Sequence, residues 1–167
     1  MVRDGAGMTD VTLRTFEASD TDWLVEQHGS LYAREAGFDD SFGRLVRSIL
    51  EAFNGDHDPA CERGWIAEAD GVRLGSIFCV RHDEVTAKLR LFLLVPEARG
   101  RGVGRMLLEQ CMGFAREQGY QGMTLWTHES HEAACALYAR NGWQMARSRP
   151  VHSYGQDLVE QTWIYRF

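Results

Sequence analysis

The chain has 167 residues, 44% of them hydrophobic and 25% charged, which suits one compact soluble domain with a sizeable core. Its formal net charge of -6 disfavours a nucleic-acid binder, which usually presents a basic domain or face. No apolar run approaches the roughly 20 residues of a membrane span. The polar start, "MVRDGAGMTD", lacks the apolar stretch of a signal peptide. Residues 1–8 are therefore read as a flexible leader and residues 9–167 as a single domain. Cys61, Cys79, Cys111 and Cys135 contain no CxxC pair, so neither a zinc ribbon nor a thioredoxin-like site is expected. Reduced thiols without an export signal point to the cytoplasm.

The elements are taken in chain order. "VTLRTF" alternates like an exposed first strand. Ser19 or Thr21 can cap a helix over about Asp20 to Ala36 that stops at Gly37. A second helix, about Asp39 to Asn54, places Phe42, Leu45, Val46, Ile49 and Phe53 at helical spacing. "NGDHDPAC" is a loop. "GWIAEADGVRLGSIFCVRH" reads as two strands around an Asp70-Gly71 turn. "TAKLRLFLLV" is a buried strand. Val103, Leu107, Cys111 and Phe114 mark the buried stripe of a helix that ends at Gly119. "GMTLWTH" is a strand, "HEAACALYARNGW" a short helix stopping at Asn141-Gly142. "WQMARSR" and "LVEQTWIYRF" are two closing strands. The order implies a mixed α/β domain with antiparallel hairpins and one strand–helix–strand crossover.

That crossover contains "VPEARGRGVGRMLL", with Gly100, Gly102 and Gly104 alternating with Arg99, Arg101 and Arg105. A glycine-rich turn entering a helix aims backbone N–H groups at one point, where the helix dipole adds positive charge. Arginines add charge-assisted contacts to phosphate oxygens. A pyrophosphate is the simplest ligand. The run is not GxxxxGK[ST], and the sixth position counted from Gly100 is Arg105, so neither a P-loop nor a dinucleotide fingerprint fits. The pattern R-x-x-G-x-G does fit, from Arg99 to Gly104.

With these residues in place, "LFLLVPEARGRGVGRMLLEQC" resembles the coenzyme A-binding motif of the GNAT superfamily of N-acetyltransferases. "HEAACALYARNGW" resembles the second motif of that superfamily, at the usual separation. "HGSLYAREAGFD", "AKLRLFLL" and "HSYGQDLVEQTW" further resemble the acetyltransferase domain fused behind MarR-type regulators. The resemblance implies a mostly antiparallel sheet of about seven strands, with a parallel pair at the cofactor site and about four flanking helices. It implies acetyl-CoA as cofactor, held by Phe92, Leu93, Leu94, the loop from Arg99 through Gly100, Arg101, Gly102, Val103 and Gly104 to Arg105, and His131, which stands where the family commonly has asparagine. The Leu94 N–H would face the thioester carbonyl, and Tyr138 matches the tyrosine that protonates the leaving thiolate. The glutamate base of some relatives corresponds to Trp126, so that role does not carry over.

A base must come from elsewhere. His28, Tyr32 and Glu35 are spaced to share one side of the first helix. That helix borders the acceptor cleft in this fold, which makes His28 a candidate base and Tyr32, Glu35 and Trp126 candidate substrate contacts. A solvated helix face is the plainer reading. Glu68 and His82 are further base candidates. "HESHEAAC" lacks the second histidine of HExxH, so no metal is expected. The implied activity is direct acetyl transfer to a primary amine, of a small molecule or a peptide. A net charge of -6 favours a cationic acceptor. The rival is a non-catalytic coenzyme A-binding or ligand-sensing module. Neither nucleic acid nor membrane is expected as a partner, and a homodimer is allowed.

Overall fold

The computed structural model describes residues 10–167, so the expected leader lies outside the described residues. The strands are β1 (Thr12–Thr15), β2 (Arg63–Ala69), β3 (Val72–Arg81), β4 (Thr86–Leu94), β5 (Gly122–His128), β6 (Gln144–Ser153) and β7 (Gln156–Arg166). The helices are α1 (Thr21–Ala36), α2 (Asp40–Asp56), α3 (Val103–Glu117) and α4 (Glu132–Arg140). One seven-stranded sheet has the order β1-β2-β3-β4-β5-β7-β6. Among the described residues, only β4 and β5 run parallel. This is the mixed sheet, with four helices, expected from the sequence.

Local chemistry explains the boundaries. Asp39 accepts the Ser41 N–H at 3.0 Å and starts α2, while Gly37 ends α1 at φ 72°. Asp70 and Gly71 have φ of 52° and 75°, the paired positive values of a tight hairpin turn. The chain end departs from the expected pattern. β6 and β7 extend to a second such turn at Tyr154-Gly155, with φ of 56° and 76°. Tyrosine is an unusual first residue for that turn, and Pro150 argues against a strand. Pro150 is tolerated because β6 is the sheet's edge.

Two apolar clusters cover the two faces. Ile66 and Phe78 pack with Leu24, Leu31, Val46 and Leu50 of α1 and α2. Their strand neighbours Trp65, Ala67, Ile77 and Cys79 pack with Val103, Leu107, Cys111 and Phe114 of α3. The start of α1 is tied down by Asp20, fully buried, whose carboxylate accepts hydrogen bonds from Arg14 at 2.8 and 2.9 Å and Arg73 at 2.8 Å. Burial alone would raise its pKa. The bonds from Arg14, the Glu17 N–H and Arg73 reverse that and bring it to about 2.

β4 carries one extra residue. Phe78 faces Arg90 across the β3 ladder, but Ser76 faces Leu93, so Ile77 is opposed by both Leu91 and Phe92. Leu91 takes φ 53°, a costly value for leucine. The buried Ser76 hydroxyl donates to the Leu91 carbonyl at 2.7 Å and holds the bulge. The bulge reverses the parity of the strand. Leu89 belongs to the α3-side cluster and Leu93 to the α1–α2 side, although both are odd-numbered. Ser76→Ala should lower stability by about 1–2 kcal/mol, because it leaves the Leu91 carbonyl without its donor. Chemical denaturation checks this, and an unchanged midpoint would show that Ser76 does not hold the bulge.

Candidate active site

The parity change decides where the backbone of β4 points. His82 N–H bonds to the Thr86 carbonyl at 2.9 Å, so before the bulge the even-numbered residues of β4 pair with β3. Val95 N–H bonds to the Leu74 carbonyl at 3.0 Å, so after it the odd-numbered residues do. The Leu94 N–H therefore faces away from β3. On that side, the parallel register with β5 ends at Lys88 opposite Thr124. Beyond it the two strands separate, and Leu94 presents its N–H to an open gap.

The glycine–arginine loop lies at the end of this gap. Gly100 and Gly102 have φ of 75° and 77°, and a Cβ on either would meet nothing within 4 Å. Their conformation, rather than crowding, calls for glycine. The first hydrogen bond of α3 runs from Met106 N–H to the Gly102 carbonyl at 3.1 Å. The N–H groups of Val103, Gly104 and Arg105 have no helical partner, and they lie at a positive helix end that could hold an anion. Gly104 is needed for packing: a Cβ there would lie 3.1 Å from Leu94 Cδ1 and 3.5 Å from Leu137. Arg101 is exposed, and Arg105 pairs with Glu109 on its own helix at 2.8 Å.

Arg99 is less free than the sequence suggests. It holds Glu35 by two parallel bonds of 2.9 and 2.8 Å, joining the loop to the end of α1. The Arg99 guanidinium holds the Glu35 carboxyl below its ordinary pKa. Glu35 thus lies in the first of two cavities, of about 480 Å³, beside Arg99, Leu93 and Leu94, and does not line the second.

That second cavity, of about 240 Å³, is bounded by α1, α2, β4 and β5 and meets the first at Tyr32, Phe92 and His131. His28, Trp126 and Tyr138 line it. The solvated-face reading of α1 fails at His28, which is 1% exposed. Its Nδ1 donates to the Leu24 carbonyl at 2.8 Å, and Nε2 has no partner among the described residues. Burial lowers its pKa to about 4, so the ring is neutral at pH 7. His131 sits at the N-terminus of α4 with Thr127 Oγ1 3.2 Å from its Nδ1. Burial, then the neighbouring His128, lowers it also to about 4. Tyr138 is 3% exposed, with its ring 6.1 Å from that of Phe92, and burial raises its hydroxyl pKa well above the ordinary value. Trp126 is 56% exposed, and the Lys88 ammonium stands 3.4 Å from its ring centroid.

Glu68 pairs with Arg14 at 3.0 Å, and neither it nor His82 lines either cavity, so both drop out as bases. The sequence reading missed His128, whose buried Nδ1 has no partner among the described residues, and the cavity-lining Lys88, Arg90 and Tyr154. The period-2 spacing of Lys88 and Arg90 was the available signal. Among the described residues, no group of three or more His, Cys, Asp or Glu is arranged for a metal, and no helix is long and apolar enough to cross a membrane.

The fold has known counterparts. The Acetyltransferase (GNAT) family matches residues 18–143, and the chain belongs to that family. It is 28% identical over 137 residues to mycothiol acetyltransferase of Beutenbergia cavernae, an alignment covering 78% of this chain and 44% of that protein. The chain spans about half or less of the length of such curated relatives. An acetyltransferase from Streptococcus agalactiae has the same fold, with TM-score 0.78 and 22% identity, covering 94% of this chain and 98% of that one. So does a Salmonella typhimurium protein solved with its cofactor acetyl-CoA, with TM-score 0.75 and 18% identity, covering 95% and 94%.

The depressed pKa of His28 has a consequence for stability. An unfolded imidazole titrates near 6.5 and the folded one near 4, so the unfolded chain binds more protons between those values. Stability from this group is complete above pH 6.5 and declines toward pH 4, by about 3 kcal/mol in all. Urea midpoints at pH 7.5 and pH 5 should differ markedly in the native protein and less in His28→Leu, which keeps the share due to His131. Equal differences in both would place the acid sensitivity elsewhere.

Proposed function

We propose that the chain is an acetyl-CoA-dependent N-acetyltransferase that acts on a primary amine by direct attack in a ternary complex. The observation that carries this is the outward Leu94 N–H, set in a strand gap that opens at one end onto the glycine–arginine loop. The loop fits a pyrophosphate: its N–H groups are unpaired in the helix, and Gly100 and Gly102 leave the approach open. Acetyl-CoA, when bound, supplies an activated acetyl group.

Phe92, Leu93 and Leu94 would align the cofactor arm along the free edge of β4, with Leu94 N–H as donor to the developing oxyanion. Val103, Gly104, Arg101 and Arg105 would hold phosphate oxygens. Arg99 fixes the loop to α1 through Glu35 and adds its charge there. His131 stands where both cavities meet and serves as a cofactor contact. The reaction forms a nitrogen–acetyl bond and breaks the thioester C–S bond, the amine losing a proton and the thiolate gaining one. His28 Nε2, neutral and unpartnered, is assigned as the acceptor of the amine proton, directly or through water. Tyr138, held protonated by burial, is assigned as the donor to the thiolate. Tyr32 and Trp126 would contact the acceptor.

The cysteines support attack without an acetyl-enzyme. Cys79 and Cys111 are buried, and burial raises the thiol pKa of both Cys111 and Cys135. On its sequence we also group the chain with the acetyltransferase domains fused to MarR-type regulators; the chemistry does not depend on that grouping.

Thiol release from acetyl-CoA across a panel of amines tests the activity. Release that depends on one amine class is expected, and coenzyme A binding without release on any amine would favour the sensing module. Tyr138→Phe should keep coenzyme A affinity while kcat falls at least about a hundredfold; an unchanged kcat would remove Tyr138 from the mechanism. Gly102→Val forces a β-branched residue to φ 77° and should weaken coenzyme A binding by roughly tenfold or more. An unaltered affinity would separate the loop from the cofactor.

A further inference from the structure

The smaller cavity has a charge pattern that a simple amine does not explain. Lys88 and Arg90 line it side by side on the α1–α2 face of β4. Among the described residues neither makes an ion pair. Both cations are partly buried. The one carboxylate lining the cavity is Glu160, which Arg149 already holds at 3.1 Å. A protonated amine alone would enter a site with two positive charges against one carboxylate, Glu160, which acts on Lys88 but is shared with Arg149.

We infer that the acceptor amine also carries a carboxylate or a similar small oxyanion, held by Arg90 and Lys88. This rests on the acetyltransferase reading above and narrows its acceptor to amino-acid-like amines. It replaces the cationic acceptor suggested by the net charge, because the local field at a site outweighs the distant average.

The placement is consistent along the strand. Phe92 marks the junction of the two cavities, and Arg90 and Lys88 lie two and four residues back, at most roughly 7 and 13 Å at the rise of an extended chain. An amine at the junction and an oxyanion at Arg90 would therefore sit against neighbouring stretches of one strand, as the two ends of one small molecule can. The unpartnered Nε2 of His28 and Nδ1 of His128 supply polar contacts in the same cavity. Desolvation also opposes leaving the two cations unmatched. Burial lowers the pKa of Arg90 and brings that of Lys88 to about 8, and an anion would reverse both effects. Lys88 is oriented by the face of Trp126.

The test compares matched acceptors: α- and ω-amino acids, aminophosphonates, and the carboxamide of each amino acid. Thiol release is measured with the native protein, Arg90→Gln, Arg90→Lys and Lys88→Met, and coenzyme A affinity reports folding of each variant. The anionic acceptors should exceed their carboxamides in kcat/KM by roughly tenfold to a hundredfold, the range for one charge-assisted hydrogen bond. In Arg90→Gln that ratio should fall toward one through a higher KM for the anionic acceptor, and Arg90→Lys should restore part of it. Aminophosphonates outrunning amino acids would identify the oxyanion as a phosphonate type. Carboxamides that match or exceed the acids, or variants that change both acceptor classes in proportion, would overturn the inference.

If no amine releases thiol, binding of the same pairs to the coenzyme A-loaded protein decides. Binding of the acid but not its amide, lost in Arg90→Gln, upholds the ligand class while ending the catalytic reading. Equal binding of both, or of neither, overturns the inference as well.

Discussion

The geometry of the cleft depends on one extra residue in β4. Without the bulge at Leu91, the Leu94 N–H would pair with β3 and the strand's outer edge would present a different set of groups. The bulge also moves Leu93 onto the α1–α2 face and sends Leu94 toward α3, where Gly104 leaves room for it. Leucine in a left-handed conformation is locally unfavourable, and the Ser76 hydroxyl offsets part of that cost. Both cavities meet at Phe92, the residue after the kink.

The site is built from neutral groups where charge would be costly and from charges where it is useful. His28 and His131 are kept uncharged by burial, and Tyr138 is kept protonated by the same effect. At the other end of α1, Asp20 is as buried as His28 yet remains ionised, because three donors converge on it. Arg99 and Glu35 clamp the last turn of the helix to the loop. The helix that forms one wall of both cavities is fixed near each of its ends by a bidentate ion pair.

The sequence revealed those features whose chemistry is local. Asp70-Gly71, Gly37 and the glycine loop each have a direct conformational cause, and each was found where the pattern placed it; the α2 stripe was found at Val46 and Phe53, but Leu45 is exposed and the buried Leu50 was left out. The bulge at Leu91 was not readable, because nothing in "LRLFLL" distinguishes a kinked leucine from a regular one. The Tyr154-Gly155 turn was hidden by an unusual first residue and by a proline that only an edge strand tolerates. The pairing of Arg99 with Glu35 is a contact across 64 positions, outside the reach of any spacing rule. The helix-face spacing of His28, Tyr32 and Glu35 was read correctly as one side of α1, but that side spans two cavities, and Glu35 falls in the other one.

The position of β7 has a consequence for how the chain is made. It follows β6 in the sequence, yet it inserts between β5 and β6 and pairs with β5 along all seven residues from Gly122 to His128. While the chain emerges from the ribosome, β5 therefore has a free edge until β7 has followed it. Phe38 and Phe42 wait as well for Tyr154, whose ring comes to 4.8 and 5.0 Å from theirs. The nascent protein carries an unpaired strand edge from the emergence of β5 until β7 has followed it. A chain that stalls before β7 would expose that edge as a template for intermolecular pairing rather than yield a partly active domain.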